Sequence, residues 1–140
     1  MSVPAHLSVV TLGVADVAVS TSFYESLGWQ QLSDSGAEIS FFRLGGVVVG
    51  LFGRDALADD AAVSPDGDGF RGVTLAINLA TVELVDAAFA SWAAVGGVVV
   101  KPPHTAPWGG YSGYVADPDG HLWELAFNPH SPEWAAPSAS

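Results

Sequence analysis

The chain contains no cysteine, one lysine, three arginines and a single methionine in 140 residues. Without thiols there is no disulfide framework, no thiolate metal ligand and no cysteine nucleophile, which suits a reducing compartment. Four basic residues against fifteen acidic ones leave a net charge of −11. That charge repels phosphate backbones and anionic membranes, so neither nucleic acid nor a membrane is an expected partner. Apolar runs stay far below the ~20 residues of a membrane-spanning helix. The opening "MSVPAHLSVVTL" places no basic region ahead of a long apolar stretch, and the expected location is cytoplasmic. Serine triads, phosphate loops and nucleotide fingerprints are also missing, which removes the hydrolase and kinase classes.

What is present suffices for one ordinary domain. Hydrophobic residues make up 49% of the chain, and a chain of this length buries roughly two thirds of its unfolded surface. Periodicity repeats itself once along the sequence. "HLSVVTL" (6–12) alternates like a strand, and "DVAVSTSFYESLG" (16–28) comes next as a helix opened by Asp16 and closed by Gly28. "WQQLS", "AEISFFRL" and "VVVGLF" are three further strand candidates, separated by Ser35-Gly36 and Gly45-Gly46. The second half starts with "GVTLAINL" (72–79). A helix over 81–97 comes after it, with Thr81 as N-cap and Val82, Val85, Phe89 and Trp92 on one face, then the strands "VVVK", "YSGYVA" and "HLWELAF". Asp117-Pro118-Asp119-Gly120 joins the last two as a type I turn. The expected fold class is α+β, two β-α-β-β-β modules in one domain: module one 6–54, an acidic linker 55–71, module two 72–128 and a polar tail 129–140. "DGDG" in the linker lacks the ligand ladder and closing Glu of a calcium loop.

One residue stands out against its surroundings. Glu124 is a lone carboxylate among Leu122, Trp123, Leu125, Ala126 and Phe127, and a charge in such company costs several kcal/mol unless it is paired, protonated or bound. Trp108, Tyr111 and Tyr114 lie nearby in a Gly-rich stretch and bring rigid area with polar handles, suited to an organic ligand. Asn78, Trp29 and Phe42 are candidates for either core or ligand contact, and Lys101 for either a solvent-seeking strand end or a site.

The two modules, the "FYESLGW" helix exit and the closing "DPDGHLWEL" together resemble the vicinal oxygen chelate superfamily, also named the glyoxalase/bleomycin-resistance/dioxygenase family. The resemblance spans roughly residues 6–128. It implies that each module curls its strands into a half-cup, and that two such modules, within a chain or across a dimer, enclose a pocket. For metal-dependent members it implies that the carboxylate at Glu124 is the last ligand of a divalent cation. Three further ligands, usually His, Glu or Gln, come from the first strand of each module and the fourth strand of the first.

Those further positions carry over to Val9, to Val49 or Gly50, and to Val73 or Thr74. Val and Gly have no donor, and Thr is a poor substitute for imidazole. His6 stands an odd number of residues before Val9 and so on the opposite strand face, and His104, His121 and His130 have no metal-ligand spacing to one another. His104, in the Pro-flanked "KPPHTAPWGGY", is the one placed to form a pocket lip. Glu124 is then either a structural acceptor for a tyrosine hydroxyl or backbone group, or a group that meets a ligand amine or hydroxyl or serves as a general base. The expectation is a homodimeric, metal-free binder of a small organic molecule, similar to the antibiotic-sequestering members. Its ligand-contacting residues are Glu124, Trp108, Tyr111, Tyr114, Phe42, Trp29 and Asn78, with no cofactor. The alternative is a divalent-metal-dependent lyase, isomerase or extradiol-type dioxygenase of the same family, with Glu124 in a shifted metal site.

Overall fold

The computed structural model describes residues 2–33 and 35–137. Its chain separates into two compact units, 1–67 and 68–140, and the elements are of mixed α+β type with a separate sheet in each.

In the first unit β1 (Val9–Val14), α1 (Val17–Ser26), β2 (Ile39–Leu44), β3 (Val47–Gly53) and α2 (Arg54–Asp60) run in order. The middle strand β3 is parallel to β1 and antiparallel to β2. Strand alternation puts Leu12, Val14, Phe42, Val49 and Leu51 on one face, all of them buried. α1 packs over that face, with the Tyr24 ring 6.2 Å from Phe42. Burying each such side chain stabilises the unit by about 1.5–3 kcal/mol.

Local chemistry sets the ends of α1. The Asp16 carboxylate accepts from the Val19 N–H at 3.2 Å, the N-cap bond its position predicts. At the other end Gly28 adopts φ 96°, so that its own N–H reaches Glu25 O at 2.9 Å and the Trp29 N–H reaches Tyr24 O at 3.3 Å. These are the two bonds of a Schellman turn, and its usual apolar contact is here a ring stack, Trp29 on Tyr24 at 4.9 Å.

One expectation needs correction in this unit. "WQQLS" is not a strand but a single bridge from Gln31 to Phe42. Leu32 N–H still donates to Phe41 O at 2.7 Å, but the Phe41 N–H that would return the bond goes to Ser35 Oγ at 2.9 Å, and the ladder stops there. The acidic segment after β3, which carries a weak helical start in the sequence, begins as α2, and Arg54 ties down the stretch beyond that helix. Its guanidinium donates to Pro65 O from Nε at 3.0 Å and from Nη2 at 2.7 Å, and Nη2 also reaches Gly67 O at 3.2 Å.

The second unit contains β4 (Leu75–Asn78), α3 (Val82–Ala94), β5 (Val98–Thr105), β6 (Tyr111–Ala116), β7 (Leu122–Phe127) and a 3-10 turn, Pro132–Trp134. The sheet runs β4-β7-β6-β5, with β4 parallel to β7 and the other pairs antiparallel. Thr81 caps α3, its hydroxyl accepting from Leu84 N–H at 3.1 Å. Val85, Phe89 and Trp92 of α3 are buried, as are Val115, Trp123 and Leu125 on the sheet. The Trp92 indole lies 6.0 Å from that of Trp123 and donates to Ala116 O at 2.8 Å.

β5 outruns the expected "VVVK", continuing through Pro102-Pro103 with register irregularities on both sides of Lys101. Prolines are admissible there because β5 is the edge strand and needs no outward ladder bond. His104, beyond the expected end of that strand, therefore stands in β5 opposite Ser112. Gly113 makes room for this bent strand. A Cβ there would overlap Lys101 O and come within 2.8 Å of Phe89 Cζ and 2.9 Å of the Pro102 carbonyl carbon.

The Asp117–Gly120 turn fixes the entry to β7. Gly120 N–H donates to Asp117 O at 3.0 Å, and the buried Asp117 carboxylate accepts from Asp119 N–H at 2.9 Å and His121 N–H at 2.8 Å. Among the described residues no helix is long and apolar enough to cross a membrane.

The close approach at Gly113 and the Asp117 turn each make substitution costly. Gly113→Ala is expected to lower unfolding free energy by about 1–3 kcal/mol through overpacking, and Asp117→Ala by about 2–3 kcal/mol through two stranded turn N–H groups. Asp117→Asn, which keeps an acceptor oxygen, is expected to lose about 1 kcal/mol. Urea unfolding midpoints monitored by tryptophan fluorescence measure all three.

Candidate functional site

The second sheet has one face against α3 and one turned away, and strand register decides which residues stand on each. Trp123 and Leu125 pair with Val115 and Gly113 on the α3 side, so Glu124 points the other way, with Leu122 and Ala126. Directly opposite Glu124 stand Tyr114 on β6 and Ala76 on β4, and opposite Tyr114 stands Lys101 on β5. One row of the face thus reads Ala76, Glu124, Tyr114, Lys101. The next reads Asn78, Ala126, Ser112, His104. Neighbours in a row are about 4.8 Å apart along the hydrogen-bonding direction.

Glu124, Tyr114, Asn78 and Ser112 are half-buried, Ala116 and Ala126 are buried, and Lys101 and His104 are exposed. Among the described residues the Glu124 carboxylate makes no hydrogen bond and no ion pair. The tyrosine bond that would make it a structural acceptor is absent from that set. The Tyr111 hydroxyl donates to a different carboxylate, reaching Asp86 Oδ1 at 2.6 Å. Tyr111 pairs with Phe127 on the α3 side. Its phenol is held above the ordinary tyrosine range, first by that hydrogen bond, then by desolvation and by the Asp86 charge.

The structure therefore brings Glu124, Tyr114 and Asn78 to one face of the second sheet. Phe42 is fully buried under α1, and Trp29 stacks on Tyr24, so both serve the first unit's core. Tyr111 belongs to the α3 side. Trp108 sits at the tip of the β5–β6 hairpin and is 56% exposed. A turn closed by Ala106 N–H to Gly110 O at 2.7 Å and Gly109 N–H to Ala106 O at 2.9 Å shapes that tip. His130 backs it, with Nε2 3.1 Å from Trp108 O and the rings 6.0 Å apart. Ser112 and Ala76 carry no signal in the sequence because cross-strand pairing, not local pattern, puts them beside Glu124. Lys101 was legible only as an ambiguous strand end.

The positions implied for a divalent cation do not supply a donor set. Gly50 lies opposite Thr11 on the face shared with Val9, whereas Val49 is buried on the α1 side. The space a Gly50 side chain would enter is taken by the Phe41 ring at 3.2–3.3 Å and by Thr11 Oγ1 at 3.4 Å. Val73 and Thr74 precede β4. Among the described residues no three His, Cys, Asp or Glu side chains gather into a group that could hold a metal ion. A carboxylate and a threonine hydroxyl do not make an N/O cage for a divalent ion.

A crystal structure of a glyoxalase-related enzyme from Fulvimarina pelagi shares 35% identity over 90% of both chains, with a TM-score of 0.81. A glyoxalase/bleomycin resistance protein/dioxygenase family enzyme from Burkholderia phytofirmans PsJN shares 23% over 88% of this chain and 98% of its own, at TM-score 0.77. A lactoylglutathione lyase from Agrobacterium tumefaciens shares 22% over 89% of this chain and 95% of its own, at TM-score 0.68. A search of curated proteins found no match. The family model for the glyoxalase/bleomycin resistance protein/dioxygenase superfamily matches residues 6–125, and the chain belongs to that superfamily.

Proposed function

We propose that this protein binds a small organic molecule on the Glu124 face of its second sheet without a divalent metal, in the manner of antibiotic-sequestering members of the superfamily. The observation that carries this reading is Glu124 itself: a half-buried carboxylate with no internal partner among the described residues, flanked by Tyr114 and by the small side chains of Ala76 and Ala126. A carboxylate so placed accepts from a ligand ammonium or hydroxyl, and charge-assisted bonds of this kind are the strong ones. The Tyr114 ring offers area with a hydroxyl at its end. Sequestration needs affinity and no bond chemistry, which suits a face whose one acid stands among Tyr114, Ala76 and Ala126.

The net charge of −11 favours cationic ligands at long range. A titration of cationic and zwitterionic antibiotics, monitored by tryptophan fluorescence, is expected to give at least one Kd in the micromolar range, about −8 kcal/mol. Glu124→Gln is expected to weaken it about tenfold to a hundredfold. No binding by wild type at about 1 mM, or equal binding by the variant, overturns the reading.

Metal content tests it separately against the lyase, isomerase or dioxygenase alternative. After dialysis against manganese, iron, nickel and zinc and removal of free ions, mass spectrometry is expected to find far less than one ion per chain. Stoichiometric metal in wild type that disappears in Glu124→Gln would establish a metal site and transfer the assignment to the alternative.

A further inference from the structure

The chain has a single lysine, and it stands inside a strand. Arg54 is engaged by the carbonyls of Pro65 and Gly67, and Arg71 by that of Asp119. The Lys101 ammonium, by contrast, forms no hydrogen bond or ion pair among the described residues, and neither does the His104 imidazole. Residues 101 and 104 are an odd number apart, and a regular strand would turn them to opposite faces. The irregularities in β5 cancel that. Three steps along β5 are matched by two along β6, so Lys101 meets Tyr114 while His104 meets Ser112, both on the Glu124 face. Bulges of this sort re-aim side chains and are over-represented beside functional sites.

We propose that Lys101 and His104 form an oxyanion subsite at the β5 side of this face. The ligand is then amphoteric, with a carboxylate, phosphate or phosphonate at Lys101 and His104 and an ammonium or hydroxyl at Glu124. This rests on the organic-ligand reading of Glu124 and adds the second end of the molecule. Two strand spacings separate Glu124 from Lys101, about 10 Å between backbones, with Tyr114 between them to carry the ligand's body. The arrangement also gives a chain of net charge −11 a local means of accepting an anion, since β5 carries two basic side chains and no acidic one. The Ser112 hydroxyl, in the row of His104, supplies a neutral donor to the same oxygens.

Inorganic phosphate and sodium acetate are the probes, titrated into the full chain at low salt and read out as amide chemical shifts in 1H–15N NMR. Saturable shifts are expected at residues 101, 104, 112 and 114. They should weaken at least tenfold in Lys101→Met and persist in Lys101→Arg. Glu124→Gln should strengthen them about two- to tenfold, because it removes a negative charge about 10 Å away. Tighter phosphate than acetate would assign a phosphate or phosphonate group, and the reverse a carboxylate. Shifts that never saturate, or that saturate alike in Lys101→Met, overturn the subsite. Benzylamine tests the Glu124 end alone: its shifts should vanish in Glu124→Gln and survive Lys101→Met. Failure of benzylamine with phosphate binding intact would sink the Glu124 reading and leave an anion site, so the two failures are distinguishable.

Discussion

Everything proposed for the second unit depends on the burial of two residues that flank the candidate acid. Trp123 and Leu125 are each 2% exposed, and each stabilises the fold by about 1.5–3 kcal/mol through its contact with the α3 side. Side-chain alternation then leaves Glu124 one direction only. A slip of one residue in β7 would bury Glu124 against Phe89 and Trp92 and expose the tryptophan, exchanging a favourable contribution for a desolvated charge. The Asp117 carboxylate guards against that slip, because its bonds to Asp119 and His121 set where the strand starts.

The two units solve the same problem of closing a helix with different partners. α1 ends in a Schellman turn whose aromatic residue comes after the glycine, and Trp29 folds back on Tyr24. α3 ends in the same pair of bonds, from Gly96 to Ala93 O and from Gly97 to Trp92 O. Here the aromatic belongs to the helix, and a side chain on Gly97 would collide with the Trp92 ring. The Trp92 indole is thereby aimed at Ala116 O on the sheet. An indole N–H so placed ties α3 to the strand that carries Tyr114, which gives the helix a part in fixing the opposite face.

Local signals were legible in the sequence wherever one residue decides the outcome. Asp16, Thr81 and the Asp117–Gly120 turn act through bonds to backbone groups within four positions, and all form as read. Strand ends were less legible, since they depend on partners far along the chain. "WQQLS" carries strand-like residues, yet its ladder is cut by the Ser35 hydroxyl, and "VVVK" extends past two prolines because it lies at the edge of its sheet. The same limit applies to the site. Glu124 announced itself by chemistry, while Tyr111 and Tyr114, similar in the sequence, separate to opposite faces once β6 is in register.

An anion subsite beside a lone acid, as proposed, also bears on the role of Glu124 in a chain that has valine, glycine and threonine at the other implied ligand positions. A half-buried carboxylate with no counterion is destabilising unless water or a ligand satisfies it. Lys101 is two strands away and Tyr114 stands between them, so direct pairing is weak, and the two charges remain available to a molecule that spans the gap. Such a molecule neutralises both ends at once, and its differential interaction with the matched pair exceeds what either group offers a singly charged ligand. Replacing Glu124 by an apolar residue would relieve the desolvation and raise the stability of the empty protein. On the proposed reading the acid exchanges stability for recognition, the balance expected of a face that binds a ligand.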